Sequence, residues 1–368
     1  MAKLKVGVIG AGSISSSHLH AYSVHSEVEL TAIADMNGER AQEKAAAYGI
    51  PHVYDNYIEL LANPDIDAVS ICTWNNSHAE IAVAALLAGK HVLCEKPLAQ
   101  TVEQALTVQE AVKRSGKMLL VGFVRRYADQ AQLVKQYAES GQLGEIYYAK
   151  ASAIRRLGNP GGWFSDATRS GGGPLIDIGV HMIDLCWYLM GKPKPVSVSG
   201  NTYRKLGNRS HIEGLSFYKA ADYNASLNDV EDMANALIRF ENGASLYVDI
   251  SYTLHAAQNE MSSKIYGTKG GAELDPKLVI VTEQFNKIVN IEPQLDHLDF
   301  QFQDSFNQEI AHFVDCCFGK AEPISPVEDG VELMRMLEAV YLSAELGAEI
   351  ILESDAVVEV AAATKEGV

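Results

Sequence analysis

Leu4-Lys5-Val6-Gly7-Val8-Ile9-Gly10-Ala11-Gly12-Ser13-Ile14-Ser15 stands near the start of the chain and decides how the rest is read. The apolar run to Ile9 predicts a short strand, the two glycines a tight turn, and the residues after them a helix. In that order, strand then glycine turn then helix, a glycine pattern reads as a dinucleotide-binding fingerprint. Gly10 permits the turn, and Gly12 lets the backbone approach a pyrophosphate at the helix N-terminus, with Ser13 and Ile14 completing the loop. The third position of the pattern is Ser15, small enough for close helix packing. The next predicted strand, Val28 to Ala34, ends in Asp35, 25 residues after Gly10. That is the offset of the acid that bonds the adenosine ribose hydroxyls and repels a 2'-phosphate, which favours NAD over NADP. Arg40 is near enough in sequence to serve a phosphate, and the other reading of Asp35 is a helix cap.

The alternation continues with helices near 39–48, 57–62, 81–88 and 101–115 and with strands at 68–72, 90–94 and 118–122. Strands this continuously apolar predict a parallel sheet covered on both faces. Ligands of such sheets bind beyond the carboxyl ends of the strands. Thr73, Asn75, His78, Glu95 and Lys96 lie there and join the cofactor candidates. A lysine at that place can hold a hydroxyl and stabilise a developing alkoxide, or it can be a solvated loop lysine. The first domain is expected over 1–123 and the second over 124–368.

In the second domain a long strand is predicted over 145–156, followed by a loop that carries Trp163. An aromatic plane near Arg126 and Arg156 suits a sugar ring, although a structural anchor for Trp163 and ion pairs for the arginines read equally well. From Leu175 to Met190 nearly every residue is apolar, which predicts a helix buried on most sides. Its exceptions, Asp177, His181 and Asp184, are spaced i, i+4, i+7 and share one face of an α-helix. Such a stripe is either the wall of a reactive cavity or a core histidine held by an aspartate. Strands at 196–200, 233–240, 244–251, 264–267 and 278–281 predict an open, mostly antiparallel sheet with that helix on one face. Leu246, Val248 and Ile250 are expected to make its uncovered face attractive for self-association. Helices near 308–318 and 327–346 complete the domain, and the tail 361–368 is expected to lack fixed structure.

Among the 368 residues, 47% are hydrophobic and 21% charged, as in globular domains. No apolar run is long enough for a membrane span, and a formal net charge of -17 opposes binding to nucleic acid or anionic membranes. The five cysteines include no CxxC pair and read as reduced thiols, which places the protein in the cytoplasm. No further ligand cluster accompanies Asp177 and His181 to hold a metal.

Taken together, Gly10-Ala11-Gly12, Glu95-Lys96-Pro97 and Asp177-Ile178-Gly179-Val180-His181 resemble the cofactor loop, lysine motif and Asp/His motif of the Gfo/Idh/MocA family (glucose–fructose oxidoreductase and inositol dehydrogenase), over nearly the whole chain. The resemblance implies a Rossmann domain, then an α+β domain with an open sheet, and a homodimer or homotetramer joined through that sheet. It maps Lys96, Asp177 and His181 onto the catalytic trio, and Trp74 stands where the family commonly has proline. It implies NAD-dependent oxidation of a secondary alcohol of a sugar, sugar derivative or cyclic polyol to the ketone. In that reading His181 is the base, Asp177 orients it or binds a neighbouring hydroxyl, and Lys96 holds the reacting oxygen. Arg126, Arg156 and Trp163 are the further substrate candidates. The competing readings are an NAD-dependent glycosidase that works by transient oxidation, and a non-catalytic sugar or NAD sensor.

Overall fold

The computed structural model describes residues 3–352 and 359–360, so the expectation for the tail lies outside the described residues. The chain forms two compact units, Met1–Ala128 with Gln301–Met334, and Asp129–Phe300 with Arg335–Val368. In place of the single cut expected at 123/124, the chain runs five residues further and later returns to the first unit.

The first unit is built on β1 (Leu4–Ile9), β2 (Val28–Ala34), β3 (His52–Tyr54), β4 (Ala68–Ile71), β5 (His91–Glu95) and β6 (Leu119–Gly122). They form one sheet in the order β3-β2-β1-β4-β5-β6, parallel throughout. Connections leave β1 toward one edge and β4 toward the other, so the sheet has its switch point between those two strands, where α/β folds open a crevice. Three of the helices start on side chains that accept an otherwise unsatisfied backbone N–H: Asn37 from Arg40, Asn56 from Glu59 and Thr101 from Gln104. Two of them end on left-handed glycines, Gly49 and Gly116. The predicted helix at 308–318 forms over Phe302–Cys317, and its Ile310, Phe313 and Val314 enter the core with Leu4, Val6, Val8 and Leu120. Proximity in sequence assigned it to the second domain; its apolar face belongs to the first.

The second unit is built on β7 (Ile146–Ile154), β8 (Pro195–Tyr203), β9 (Met233–Phe240), β10 (Ser245–Ser251), β11 (Glu260–Gly267), β12 (Gly270–Glu273), β13 (Val279–Gln284), β14 (Lys287–Ile291), β15 (Ile350–Ile351) and β16 (Glu359–Val360). They form a ten-stranded sheet in the order β14-β13-β12-β11-β7-β10-β9-β8-β15-β16. Only β7 and β10 run parallel, so the expected mostly antiparallel sheet is present. The β9–β10 hairpin turns at Asn242-Gly243 as expected, with Gly243 at φ +82°.

The face of this sheet is where the sequence reading needs correction. Leu246, Val248 and Ile250 pair in register with Ala149, Ala151 and Ala153 and are fully buried, so they form the inner face. Because side chains alternate with a period of two, the opposite face carries their neighbours. Those are Tyr148, Lys150, Tyr247, Asp249, Lys264 and Tyr266, all partly exposed, with Tyr148 and Tyr266 stacked at 5.6 Å. The outer face is therefore aromatic and charged rather than aliphatic.

Phe313 is fully buried among residues of the parallel sheet's core. Phe313→Ala is expected to cost about 3–5 kcal/mol. A urea titration followed through the first unit should show the midpoint fall at unchanged slope; an unchanged midpoint would assign the helix elsewhere.

Candidate active site

At the end of β1 the backbone turns at Gly10, whose φ is +95°. A Cβ there would stand 2.6 Å from the Cys72 carbonyl oxygen, so both the backbone angle and the approach of the loop after β4 exclude a side chain. Gly12 is different: nothing lies within 4 Å of where its Cβ would be. The open space at Gly12 is a cradle a ligand can fill. The helix Ser15–Val24 that follows has Ile14 at its N-cap, with no side chain capping it, and Ser13 is exposed. Open space in front of such a helix start fits a pyrophosphate.

Asp35 does not cap the next helix, since Asn37 does. Its Oδ2 accepts the Ala11 N–H at 2.6 Å and its Oδ1 the Asn37 N–H at 2.7 Å. The Arg40 guanidinium lies against both oxygens at 2.9 and 3.0 Å. The carboxylate is thereby fixed at the rim of the glycine loop.

Behind the loops runs a buried polar network. His18 places Nε2 2.8 Å from Glu95 Oε1 and Nδ1 3.2 Å from the Ser70 hydroxyl, which also meets the Tyr22 hydroxyl at 2.7 Å. Glu95 Oε2 accepts the Lys96 N–H at 3.2 Å. His78 reaches the carbonyls of Pro97 at 2.7 Å and Thr73 at 3.2 Å. Burial holds its imidazole below the ordinary histidine range, against the pull of those two carbonyls. Glu95 and His78 were expected to touch the cofactor. Both are buried, and their hydrogen bonds hold the loops after β4 and β5 in place. Asn75 is also buried, in the first turn of the helix Asn75–Leu87, so the loop after β4 is shorter than expected. From Val92 to Ala99 only Lys96 is more than marginally exposed, with Thr73 similarly half-buried nearby in the fold.

In the second unit the helix carrying Asp177 and His181 does not begin as a regular α-helix. Leu175–Gly179 form a π-turn, in which the Val180 N–H reaches back to the Leu175 carbonyl, and the α-helix Val180–Leu189 follows. Such turns insert one extra residue and recur at functional sites. From Gly172 to Met190 every residue is buried except Asp177 and His181. This separates the two readings of the polar stripe: a core histidine would be sealed in, whereas this one reaches solvent together with its neighbouring carboxylate. Asp184, third in the stripe, is 1% exposed and faces inward. Tyr252 donates its hydroxyl to Asp177 Oδ2 at 2.9 Å. Burial first, and the Asp177 charge second, push the Tyr252 phenol well above its ordinary range, so it remains a donor.

The remaining substrate candidates part company. Arg126 is fully buried, with Nη1 2.6 Å from Asp329 Oδ2 and 2.5 Å from the Ile324 carbonyl. It braces the first unit from a fully buried position; five donors on a rigid fork suit it to a buried carboxylate. Arg156 has an exposed side chain. Trp163 is half-buried and stacks on Phe164 at 3.9 Å, so one of its faces is already taken. The sequence reading passed over His18, Tyr252 and Glu231. Glu231 is buried, and its carboxylate accepts the Gly173 and Leu175 N–H groups at 2.8 and 3.2 Å. The helix Ser15–Val24 carries four serines and two histidines, so nothing local singles out His18. Nothing local marks Tyr252 or Glu231.

Two family models match the chain. The N-terminal one, an oxidoreductase family with an NAD-binding Rossmann fold, covers residues 4–123, and the C-terminal α/β domain of the same family covers 135–352. The D-glucoside 3-dehydrogenase of Escherichia coli (strain K12) is 34% identical over 94% of this chain and 97% of its own. The levoglucosan dehydrogenase of Pseudarthrobacter phenanthrenivorans is 32% identical over 73% of each chain. A solved structure of levoglucosan dehydrogenase with NADH and L-sorbose superposes with a TM-score of 0.83 at 26% identity, over 96% of this chain and all of that one. With both domains matched across nearly its full described length, the chain belongs to the Gfo/Idh/MocA family of NAD-binding oxidoreductases.

Proposed function

We propose that this oxidoreductase oxidises a secondary alcohol of a sugar or cyclic polyol to the ketone, with a D-glucoside as the first substrate class to try. The observation that carries this reading is the pairing of Asp177 and His181 as the only solvent-reaching residues of an otherwise buried helix. The relative named for glucosides supports the substrate class.

When bound, NAD accepts the hydride that leaves the alcohol carbon. The chain's own work is to orient the alcohol and manage its proton. His181 takes the hydroxyl proton in oxidation and returns it in reduction. Asp177, steadied by Tyr252, orients the imidazole or holds a neighbouring hydroxyl. Lys96 holds the reacting oxygen and stabilises alkoxide character, its backbone fixed through Glu95. Gly10, Gly12, Ser13 and Ile14 would hold the pyrophosphate, and Asp35 the ribose. Asp35 supports NAD over NADP, since a 2'-phosphate would meet its carboxylate. Thr73 is the further cofactor contact, and Arg156 and the free face of Trp163 the further substrate contacts. The aromatic and charged outer face of the second sheet supports a homodimer or homotetramer, which sedimentation would read directly. Five free cysteines support work in the reducing cytoplasm, and among the described residues no helix is long and apolar enough to cross a membrane.

A panel of glucosides, free sugars and inositols scored by NADH formation tests the reading. Net NADH accumulation supports a dehydrogenase, whereas glycoside cleavage without it supports the glycosidase. His181→Ala should lower kcat by about 10²–10⁴-fold while NADH affinity stays within about threefold; full activity would remove His181 from the chemistry. Gly12→Ala has room in the fold, so its Tm should not move. Its NADH affinity should fall at least about tenfold if the pyrophosphate packs there. Unchanged affinity would displace the cofactor from this loop.

A further inference from the structure

The helix that carries Asp177 and His181 begins inside the protein. Every helix leaves its first backbone N–H groups without helical partners, and burying them unpaired is costly. Here Glu231 supplies the acceptors, with Oε2 on the Gly173 N–H at 2.8 Å and Oε1 on the Leu175 N–H at 3.2 Å. Tyr341 donates its hydroxyl to the same Oε1 at 2.9 Å. Three donors converging on two oxygens, with none returned, fit a carboxylate rather than a carboxylic acid.

The glycines before the helix are what let this clamp close. A Cβ on Gly172 would collide with the Tyr341 hydroxyl. One on Gly173 would collide with the Glu231 backbone carbonyl and come within 3.0 Å of its carboxyl carbon. Glu231 is 2% exposed and touches neither solvent nor, through any of these bonds, Asp177 or His181 themselves. Its bonds end two residues before Asp177, at the start of the π-turn.

We propose that Glu231, backed by Tyr341, is the positioning residue of this site: it fixes the start of the π-turn and so sets where Asp177 points relative to His181. The inference rests on the catalytic reading of those two residues. Burial holds the Glu231 carboxyl above its usual range, and the hydrogen bonds from Gly173, Tyr341 and Leu175 offset this only in part. A glutamine is nearly the same size, but its amide nitrogen cannot accept, so one helix N–H loses its partner.

The test uses the full-length enzyme with NAD and methyl β-D-glucoside. Glu231→Gln should lower kcat on the order of 10- to 100-fold, the cost of slight misplacement of reacting groups, with sugar KM and NADH affinity within about threefold. Tyr341→Phe should show the same split at smaller size, and the double variant should be less than multiplicative because both act on one clamp. If Glu231→Gln does not fold, Tyr341→Phe decides alone. A fall in kcat at unchanged Tm supports the proposal, and wild-type kcat in a folded variant overturns it. A loss of Tm with kcat per folded molecule intact also overturns it, since that is a purely structural clamp. If the wild-type enzyme reduces NAD with no sugar or polyol, the catalytic reading falls instead. Amide exchange then tests the clamp: faster exchange confined to residues 173–178 in Tyr341→Phe retains it, and unchanged exchange refutes it.

Discussion

A buried helix can present side chains to solvent only if its own buried end is satisfied, and the second unit is arranged around that constraint. Gly172 and Gly173 give up side chains so that Tyr341 and Glu231 can reach the backbone there. Glu231 takes the first N–H groups, the π-turn adds its extra residue, and Tyr252 fixes the carboxylate that emerges from the turn. Glu231 and Tyr252 are polar and buried, so each is tolerable only because it is paired. The outcome is a braced base for two side chains that reach solvent, which is what the proposed proton-transfer role would require.

The first unit solves the same problem with different parts. Its loops follow strand ends and have no regular hydrogen bonding of their own. Buried imidazoles supply it instead: His78 ties the turn at Pro97 to the loop at Thr73, and His18 ties the first helix to Glu95 and Ser70. The lysine of the same loop is left half-exposed while its neighbours are sealed. In both units, then, the groups that do not meet solvent hold the groups that do.

This division explains what could be read from the residues alone. The glycine loop, Asp35, Lys96, Asp177 and His181 sit in local patterns that carry their own meaning: a strand end, a turn, a polar break in an apolar helix. The supporting residues do not. Glu231 follows a long irregular segment, and its importance lies in a contact with a backbone 58 positions earlier. Arg126 looked like a ligand because arginines are usually solvated, and only the chain's return at Asp329 shows it to be a buried brace. Likewise β12 is too glycine-rich to announce itself, and β14 was passed over although Ile288, Val289 and Ile291 are β-branched. They are strands because a neighbouring strand offers its edge. The face assigned to Leu246, Val248 and Ile250 failed for a related reason: alternation identifies two faces but not which one the helix will cover.

Asp35 adds a last consideration on the cofactor side. A carboxylate offers about four acceptor positions. Here two backbone N–H groups and the Arg40 guanidinium make four contacts with it. A ribose that bonds Asp35 therefore does so in exchange for Arg40, not by filling an empty place. The exchange releases a guanidinium that is 42% exposed, while the carboxylate, 8% exposed, keeps hydrogen-bond donors only if the ribose hydroxyls take that place. The two N–H groups are retained, so the carboxylate keeps its orientation as its partner changes. The proposed preference for NAD would thus be moderated by a cation already beside Asp35, and it would depend on how far Arg40 moves away once ribose hydroxyls take its place.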